Sequence, residues 1–460
     1  MKKQLIAFVA ACLVLCMIPS VGMLFCPTTQ TTENRAMAPK PALTDQDGNL
    51  NQQVFREFET YFNEHMALRN QMVYADASIQ SGLFQESNVS GVICGTDGWL
   101  YYSSTLDDYL GRNAMSDREL YNLAHNFALI QEYLQQRDID FVLTVAPNKN
   151  TLYGEHMPYY DSYVVEKDRN AQRLQPLLEE QKVSYLDLFT LFRLQKEVLY
   201  LKQDSHWNQK GACLVYNAIM DYFALEHQDY STVTPQPVET ADGDLNRMLY
   251  SFYGPTETDY DYGLTPSYTY ANNADSVEDG WIVTENPGGT GKLLMFRDSF
   301  ANTLIPFLSN EFATAYYSKG EPNALERYVE LYGPDQVVIQ KVERNIANYL
   351  DNPPLITGPE AQLPANILIS DTDTTLQVQT SMYSADYYAI SGTADQTRLQ
   401  TDSQILVCVN GRVYRAYHTG ENGYLLYLKK AELTEPATVQ VYAVTQDRCI
   451  QLLSQKPQLP

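Results

Sequence analysis

Positive charge is scarce in this chain. Lys and Arg number 32 against 56 Asp and Glu, giving a formal net charge of −24, and no lysine or arginine run interrupts the acidity. A surface of that sign repels phosphate backbones, which argues against a nucleic-acid partner and leaves neutral glycans, cations or a basic protein. Cysteine is sparse as well, with 7 in 460 residues. Cys12, Cys16 and Cys26 fall in an N-terminal apolar stretch, while Cys94, Cys213, Cys408 and Cys449 are scattered without Cys-x-x-Cys spacing, so they make no zinc site. Cys408 and Cys449 could pair in an oxidising compartment; single buried thiols are the default. Of the 6 histidines, His65, His125, His156, His227 and His418 show no pattern and none accompanies His206. No metal site is expected, although a lone Asp-x-His spacing also serves metal ligands and keeps a metal as a minor alternative.

Lys2-Lys3 precede an uncharged stretch whose apolar part, Leu5 to Phe25, has about the length needed to cross a bilayer as a helix. Basic residues on its short side place the bulk of the chain outside the cytoplasm. A cleaved signal peptide is the competing reading, because Ser20-Val-Gly22 has a small-x-small pattern, yet Met23-Leu-Phe25 continues the apolar run beyond it. A retained anchor over residues 1–27 is therefore expected, followed by a polar, proline-bearing tether over residues 28–50.

Apolar residues at helical spacing from Val54 to Ile79 predict one amphipathic helix or a broken pair. Gly91 to Tyr102 reads as a hairpin around Asp97-Gly98, and Ser116-Asp-Arg-Glu119 as a helix capping box. Strands are predicted at Asp140–Ala146, Val183–Leu186, Lys292–Phe296 and Gln336–Gln340, alternating with helices near Asn170–Gln181 and Gln209–Phe223. That alternation predicts an α/β domain with a mostly parallel sheet covered on both faces, over residues 51–355. Ligands of such sheets bind beyond the carboxyl ends of the strands, where Pro147-Asn-Lys149, Asp298-Ser299 and Glu343-Arg344 fall. Tyr230 to Pro287 is polar and tyrosine-rich, the composition of a long insertion over the site. After Pro353-Pro354 and Pro364 the helical period gives way to seven short alternating runs and an Asn410-Gly411 turn, predicting an all-β sandwich-like module over residues 360–460.

Two segments carry chemistry. In Asp204-Ser-His206-Trp-Asn208 the carboxylate can fold back onto one ring nitrogen while the other faces a nucleophile. Ser299 follows a strand and Asp298 at a predicted helix start, where free N–H groups favour an oxyanion; the plainer reading is a helix cap. Asn148, Lys149, Arg297 and Arg344 are candidates to bind substrate or donate to the oxyanion, with buried ion pairing as their bland alternative. The 35 tyrosines could supply a sugar-stacking surface.

The order of short motifs resembles the DHHW proteins and the alginate O-acetylation proteins, SGNH-hydrolase-like domains outside the cytoplasm. The resemblance runs from Glu33-Asn-Arg35 through Gly98-Trp-Leu-Tyr101, Ala146-Pro-Asn-Lys149, Asp204-Ser-His-Trp-Asn208, Gly243-Asp-Leu245 and Asp298-Ser-Phe300 to Glu343-Arg344. It implies a flavodoxin-like three-layer α/β/α domain, with Ser299 as nucleophile, His206 as general base and Asp204 as its orienter. It also implies acetylation of an exported or cell-wall polysaccharide, with a membrane-bound O-acyltransferase as the source of acetyl groups and no dissociable cofactor. A carbohydrate esterase would use the same residues with water as acceptor. A noncatalytic glycan-binding or assembly protein that retains the fold is the reading from another class.

Overall fold

The protein is described by a computed structural model over residues 2–29, 37–44, 48–250, 254–320, 322–370, 372–433 and 436–460; the Glu33-Asn-Arg35 motif lies outside the described residues. Its centre is a seven-stranded sheet in the order Tyr185–Leu186, Asp140–Ala146, Gln336–Val342, Lys292–Phe296, Thr314–Ser318, Trp281–Glu285, Thr269–Tyr270. The first five strands run parallel; the sixth pairs antiparallel with the fifth, and the seventh antiparallel with the sixth. The sheet is therefore mixed. Its antiparallel edge comes from residues 269–285, within the segment that composition marks as an insertion.

The inner strands carry almost unbroken apolar sequence because both of their faces are covered. Along Asp140–Ala146, Val142 enters a core with Val215, Tyr216 and Ile219 of the Gln209–Tyr222 helix. Its neighbours Phe141, Leu143 and Val145 enter a second core with Leu123 and Phe127 of the Asp117–Gln135 helix and Leu174 of the Asn170–Glu180 helix. Leu293 and Met295 join the first core and Leu294 and Phe296 the second, which gives three layers with helices on either side. The Asp117–Gln135 helix begins at the predicted capping box: Ser116 accepts from Glu119 N, and Glu119 reaches back to Ser116 N.

Residues 360–455 form two further sheets, one of six strands and one of four. Ile405, Val407 and Val439 of the first pack against Ile390, Leu426 and Leu428 of the second. Asn410 and Gly411 both take positive φ, 51° and 87°, as a two-residue hairpin turn demands. The opposite side of the four-stranded sheet does not face solvent: Tyr387, Ala389, Tyr417 and Tyr427 belong to the same core as Leu123 and Phe127. Polar clamps reinforce this seam. Arg118 donates to Gln400 O at 2.8 Å, Thr401 O at 2.9 Å, Ser403 O at 3.0 Å and Glu421 O at 3.0 Å, and Asn126 Nδ2 donates to His418 O at 2.9 Å.

At the N-terminus, helix α1 (Lys2–Gly22) includes a 19-residue stretch, Gln4–Gly22, long and apolar enough to cross a membrane. The amphipathic segment is a broken pair, α2 (Val54–His65) and α3 (Arg69–Ile79), joined at an elbow where Leu68 has φ 59°. Cys94, Cys213, Cys408 and Cys449 are buried free thiols.

Candidate active site

The strand Lys292–Phe296 ends at the cleft, and the chain turns through Asp298 into a 3-10 turn, Ser299–Thr303, before the Ile305–Glu311 helix. Asp298 Oδ1 caps the turn by accepting from Phe300 N at 3.0 Å, and its Oδ2 accepts from Val342 N at 2.6 Å, tying two strand ends together. Asp298 is thus the cap, and Ser299 is free to point elsewhere.

The Asp204–Asn208 loop precedes the Gln209–Tyr222 helix, which Asn208 caps through Gly211 N at 3.0 Å. Ring packing sets the imidazole. Trp207 stacks on Phe192 and meets Phe300 edge-on at 4.9 Å, its Nε1 donating to Thr303 Oγ1 at 2.8 Å, while His206 lies edge-on to Phe300 at 4.7 Å. The two segments meet: His206 Nε2 is 2.8 Å from Ser299 Oγ, and His206 Nδ1 is 2.6 Å from Asp204 Oδ1. Asp204 Oδ1 also accepts from His206 N at 2.8 Å, and Oδ2 accepts from Asp244 N at 2.9 Å. With Nδ1–H donated to the carboxylate, Nε2 is left as the acceptor for the serine proton.

A second carboxylate stands behind the first. Asp244 Oδ2 lies 3.9 Å from His206 Nδ1 and accepts from Ser205 Oγ at 2.5 Å, and Asp244 Oδ1 accepts from Ser205 N at 2.7 Å. Gly243 makes this contact possible: a Cβ there would sit 2.4 Å from Gln203 O. Sequence reasoning quoted Gly243-Asp-Leu245 for resemblance only; its role follows from the fold of the insertion.

Burial opposes protonation of His206, but the bond to Asp204 and the charges of Asp204, Asp244 and Asp298 outweigh it and raise the pKa above 6.5. Burial pushes Asp204 upward, yet its bonds to His206 and the backbone, with the imidazole charge, bring it down to about 2. Asp244 is raised, first by burial and then by the Asp204 charge. Asp204 and Asp244 thus face one ring nitrogen with carboxyl pKa values displaced in opposite directions. Asp204, His206 and Asp244 also place one ligand-type atom each within 4.8 Å of one another, so the cluster could hold a cation only by withdrawing Nδ1 from its hydrogen bond to Asp204.

These residues line a cleft of about 1060 Å³, whose other walls include Asn302, Thr303, Arg247, Glu278 and Lys319. Lys319 Nζ pairs with Glu278 at 2.8 Å, and Glu278 accepts from Asn302 Nδ2 at 2.7 Å. Asn302 and Lys319 are thus polar donors on the wall next to Ser299 that the sequence reading missed; Asn302 follows Ser299 by three residues, one short turn further on.

The other candidates are placed elsewhere. Lys149 is buried and donates to Leu201 O at 3.1 Å, Lys202 O at 2.8 Å and Asp204 O at 2.5 Å, so it holds the loop that carries Asp204 and His206. Burial lowers its pKa to about 8. Asn148 Nδ2 donates to Asp108 at 2.9 Å, and its backbone N to Glu343 at 2.8 Å. Arg344 reaches Asn148 Oδ1 at 3.4 Å and lies over Tyr102. Arg297 is buried, bonded to Asn302 and to Val277 O and Asp279 O at 2.8 Å each, which pins the wall carrying Glu278. None of the four lines the cleft. Their partners are mainly backbone carbonyls and side-chain amides, with carboxylates only at Asn148.

A half-buried hydroxyl on an imidazole backed by carboxylates is the arrangement of acyl-transfer sites. Residues 92–286 match the family model described as "SGNH hydrolase-like domain, acetyltransferase AlgX", a span that includes Asp204, His206 and Asp244 and stops before Ser299. Among curated proteins the chain is similar to the probable alginate O-acetylase AlgJ of Pseudomonas syringae pv. tomato, 28% identical over 211 residues, covering 44% of this chain and 51% of that protein. The chain thus spans about half the length of this curated relative. Among solved structures it is similar to Bacillus cereus PatB1, with 16% identity and a TM-score of 0.43 over 55% of this chain and 96% of that one. It is also similar to a DHHW family protein from Eubacterium siraeum, with 16% identity and a TM-score of 0.39 over 49% and 86%. The resemblance drawn from the short motifs is borne out by the family model and the curated relative.

Proposed function

We propose that this protein is an extracytoplasmic O-acetyltransferase acting on an exported or cell-wall polysaccharide, held to the membrane by α1. The observation that carries the reading is the unbroken line from Ser299 Oγ through the His206 ring to Asp204, with contacts of 2.8 and 2.6 Å. Similarity to a probable alginate O-acetylase supports the choice of acetyl group and polymer.

In this reading Ser299 Oγ attacks the acetyl carbonyl and its proton passes to His206 Nε2. The oxyanion forms beside Ser299 N–H and the Asn302 amide. As the carbonyl is restored, the bond to the donor breaks and the leaving oxygen takes the proton from His206, leaving acetyl-Ser299. A glycan hydroxyl then attacks the acetyl carbon, giving its proton to His206, and Ser299 Oγ departs and regains that proton. Asp204 keeps Nδ1–H oriented and balances the imidazolium in both halves. Lys149 acts through the loop as a positioning residue. A membrane-bound O-acyltransferase is the partner that would deliver acetyl groups.

The test is acetyl-ester turnover by purified protein with and without a glycan acceptor, together with mass spectrometry of Ser299 after brief exposure to donor. The expected result is an acetyl adduct on Ser299, absent from His206→Ala, and acetate transferred to glycan. Hydrolysis alone, unaffected by glycan, would make the protein an esterase. Glycan affinity that persists in Ser299→Ala with no turnover would make it a noncatalytic binding protein.

A further inference from the structure

Helix α2 is amphipathic, and two of the rings on its apolar side, Phe55 and Phe58, are left uncovered. Steps of about 100° per residue gather Val54, Phe55, Phe58, Tyr61, Phe62 and His65 on one side, and Arg56, Glu57, Glu59, Thr60, Asn63 and Glu64 on the other. A helix packed on a globular core buries its apolar side. Here Val54, Tyr61, Phe62 and His65 are half-buried, but Phe55 is 86% exposed and Phe58 54%; the polar side is exposed apart from Glu64, which is buried and accepts from Ala38 N. The rings form a ladder along the apolar side, Phe58 against Phe62 and Tyr61 against His65.

The position of α2 says what meets this side. The α2–α3 elbow sits against the end of α1: Ala67 N donates to Pro19 O at 3.2 Å, Thr28 N to His65 O at 3.1 Å and Thr28 Oγ1 to Met66 O at 2.8 Å. The approach is so close that a Cβ on Gly22 would meet Ala67 Cβ at 2.7 Å. The 19 residues of Gln4–Gly22 rise through roughly 30 Å, about the thickness of a bilayer's hydrocarbon core, so a spanning α1 brings the elbow to the lipid boundary. Leu24 and Phe25, just past α1, are exposed as well. With three acidic side chains against one arginine on its polar side, α2 has no basic face for anionic headgroups, which leaves apolar insertion.

We propose that α2 lies flat on the outer leaflet with Phe55 and Phe58 in the acyl-chain boundary, fixing the height and orientation of the cleft above the membrane. The proposal rests on the reading of α1 as a retained anchor. The occupant of the apolar side is lipid, engaged without a protein partner.

The test uses the full chain with Cys12, Cys16 and Cys26 changed to serine, carrying an environment-sensitive fluorophore at Phe58→Cys or, as control, at Arg56→Cys. Each protein is placed in nanodiscs of zwitterionic lipid with or without bromine on the acyl chains. At position 58 a blue-shifted emission, mostly lost in brominated discs, is expected, with position 56 unshifted and unquenched. A probe at 58 as wet and unquenched as that at 56 would overturn the proposal and leave the face to a protein. Equal quenching at both would overturn it too, because the helix would then be immersed rather than lying flat. Failure of the intact chain to enter nanodiscs at all would instead overturn the anchor, and the proposal with it. None of these outcomes bears on turnover at Ser299, which is assayed on the same samples.

Discussion

Lys149→Met removes one ammonium that serves three backbone carbonyls of the loop bearing Asp204 and His206. Leaving a buried carbonyl without a donor costs about 1–3 kcal/mol. Against this, burial lowers the lysine pKa from 10.5 to about 8, so the native state carries an opposing cost on the order of 3 kcal/mol for keeping it charged. Three carbonyls at about 2 kcal/mol each, less about 3 kcal/mol, leave a net loss of about 3 kcal/mol, concentrated in the loop rather than in the sheet. A loop released by about 1 Å carries His206 away from Ser299, a displacement that costs roughly 100-fold in rate. Acetyl-ester hydrolysis by Lys149→Met is expected to show that fall in kcat with little change in KM, since the residue does not line the cleft. Stability supplies an independent signature. The unfolded chain holds the Lys149 proton up to pH 10.5 and the native state only to about 8, so wild-type stability rises with pH between these values, and this component is absent from the variant. A folded Lys149→Met protein with unchanged kcat would refute the argument that the ammonium holds the base in place.

Four further outcomes are expected. Asp204→Asn should lower kcat by about 10⁴ while leaving the protein folded, because the amide favours the wrong imidazole tautomer; steady-state kinetics with circular dichroism checks it. The base must be neutral to act and its pKa is raised, so kcat/KM should fall as pH drops through a value above 6.5, and in Asp244→Asn that limb should move to lower pH; the same ionisation contributes stability that is complete below pH 6.5 and lost as pH rises through the native pKa. Arg118→Ala removes four bonds across the seam between the helical layer and the C-terminal sheets, and should loosen their docking by about 3 kcal/mol, seen as faster proteolysis between residues 353 and 365 with ester turnover retained. Chelator treatment should leave turnover intact, since the mechanism uses His206 as the base and Asp204 as its orienter; a loss restored by a divalent cation would show that the 204–206–244 cluster works as a metal site.

Much of this was legible in the sequence because it is local. The Asp140–Ala146 and Lys292–Phe296 strands are near-continuous apolar runs and the capping box at Ser116 is a four-residue signal, so boundaries fell where composition put them. Asp204 and His206 lie two residues apart and their mutual contact needs only a turn. The 93-residue separation of His206 from Ser299 is a matter of topology, which motif order suggested and spacing alone could not. The rest depended on tertiary packing. Residues 269–285 pair into the main sheet although their polar, tyrosine-rich setting looks like a loop, because an edge strand needs only one apolar side. Asn148, Arg297 and Arg344 sit at strand ends as expected, but which way a long side chain turns there is decided by the carbonyls and amides around it.

The outer face of the four-stranded C-terminal sheet has a consequence for how this chain tolerates being cut. Tyr417 and Tyr427 cover Leu123 and Phe127, and the proline-marked stretch before the module is itself buried at Leu355 and Ile356, with Leu355 N bonded to Asn323 O at 2.8 Å. Ending the polypeptide at that stretch would wet a helix face built to stay dry, strand the amide of Asn122, whose acceptors lie beyond the cut, and leave the amide of Asn126 with only Tyr349 O at 3.4 Å. The seam seen along the sequence is therefore a poor place to divide the molecule, and exchange of the tail for another would require a replacement that arrives with its own tyrosines in register.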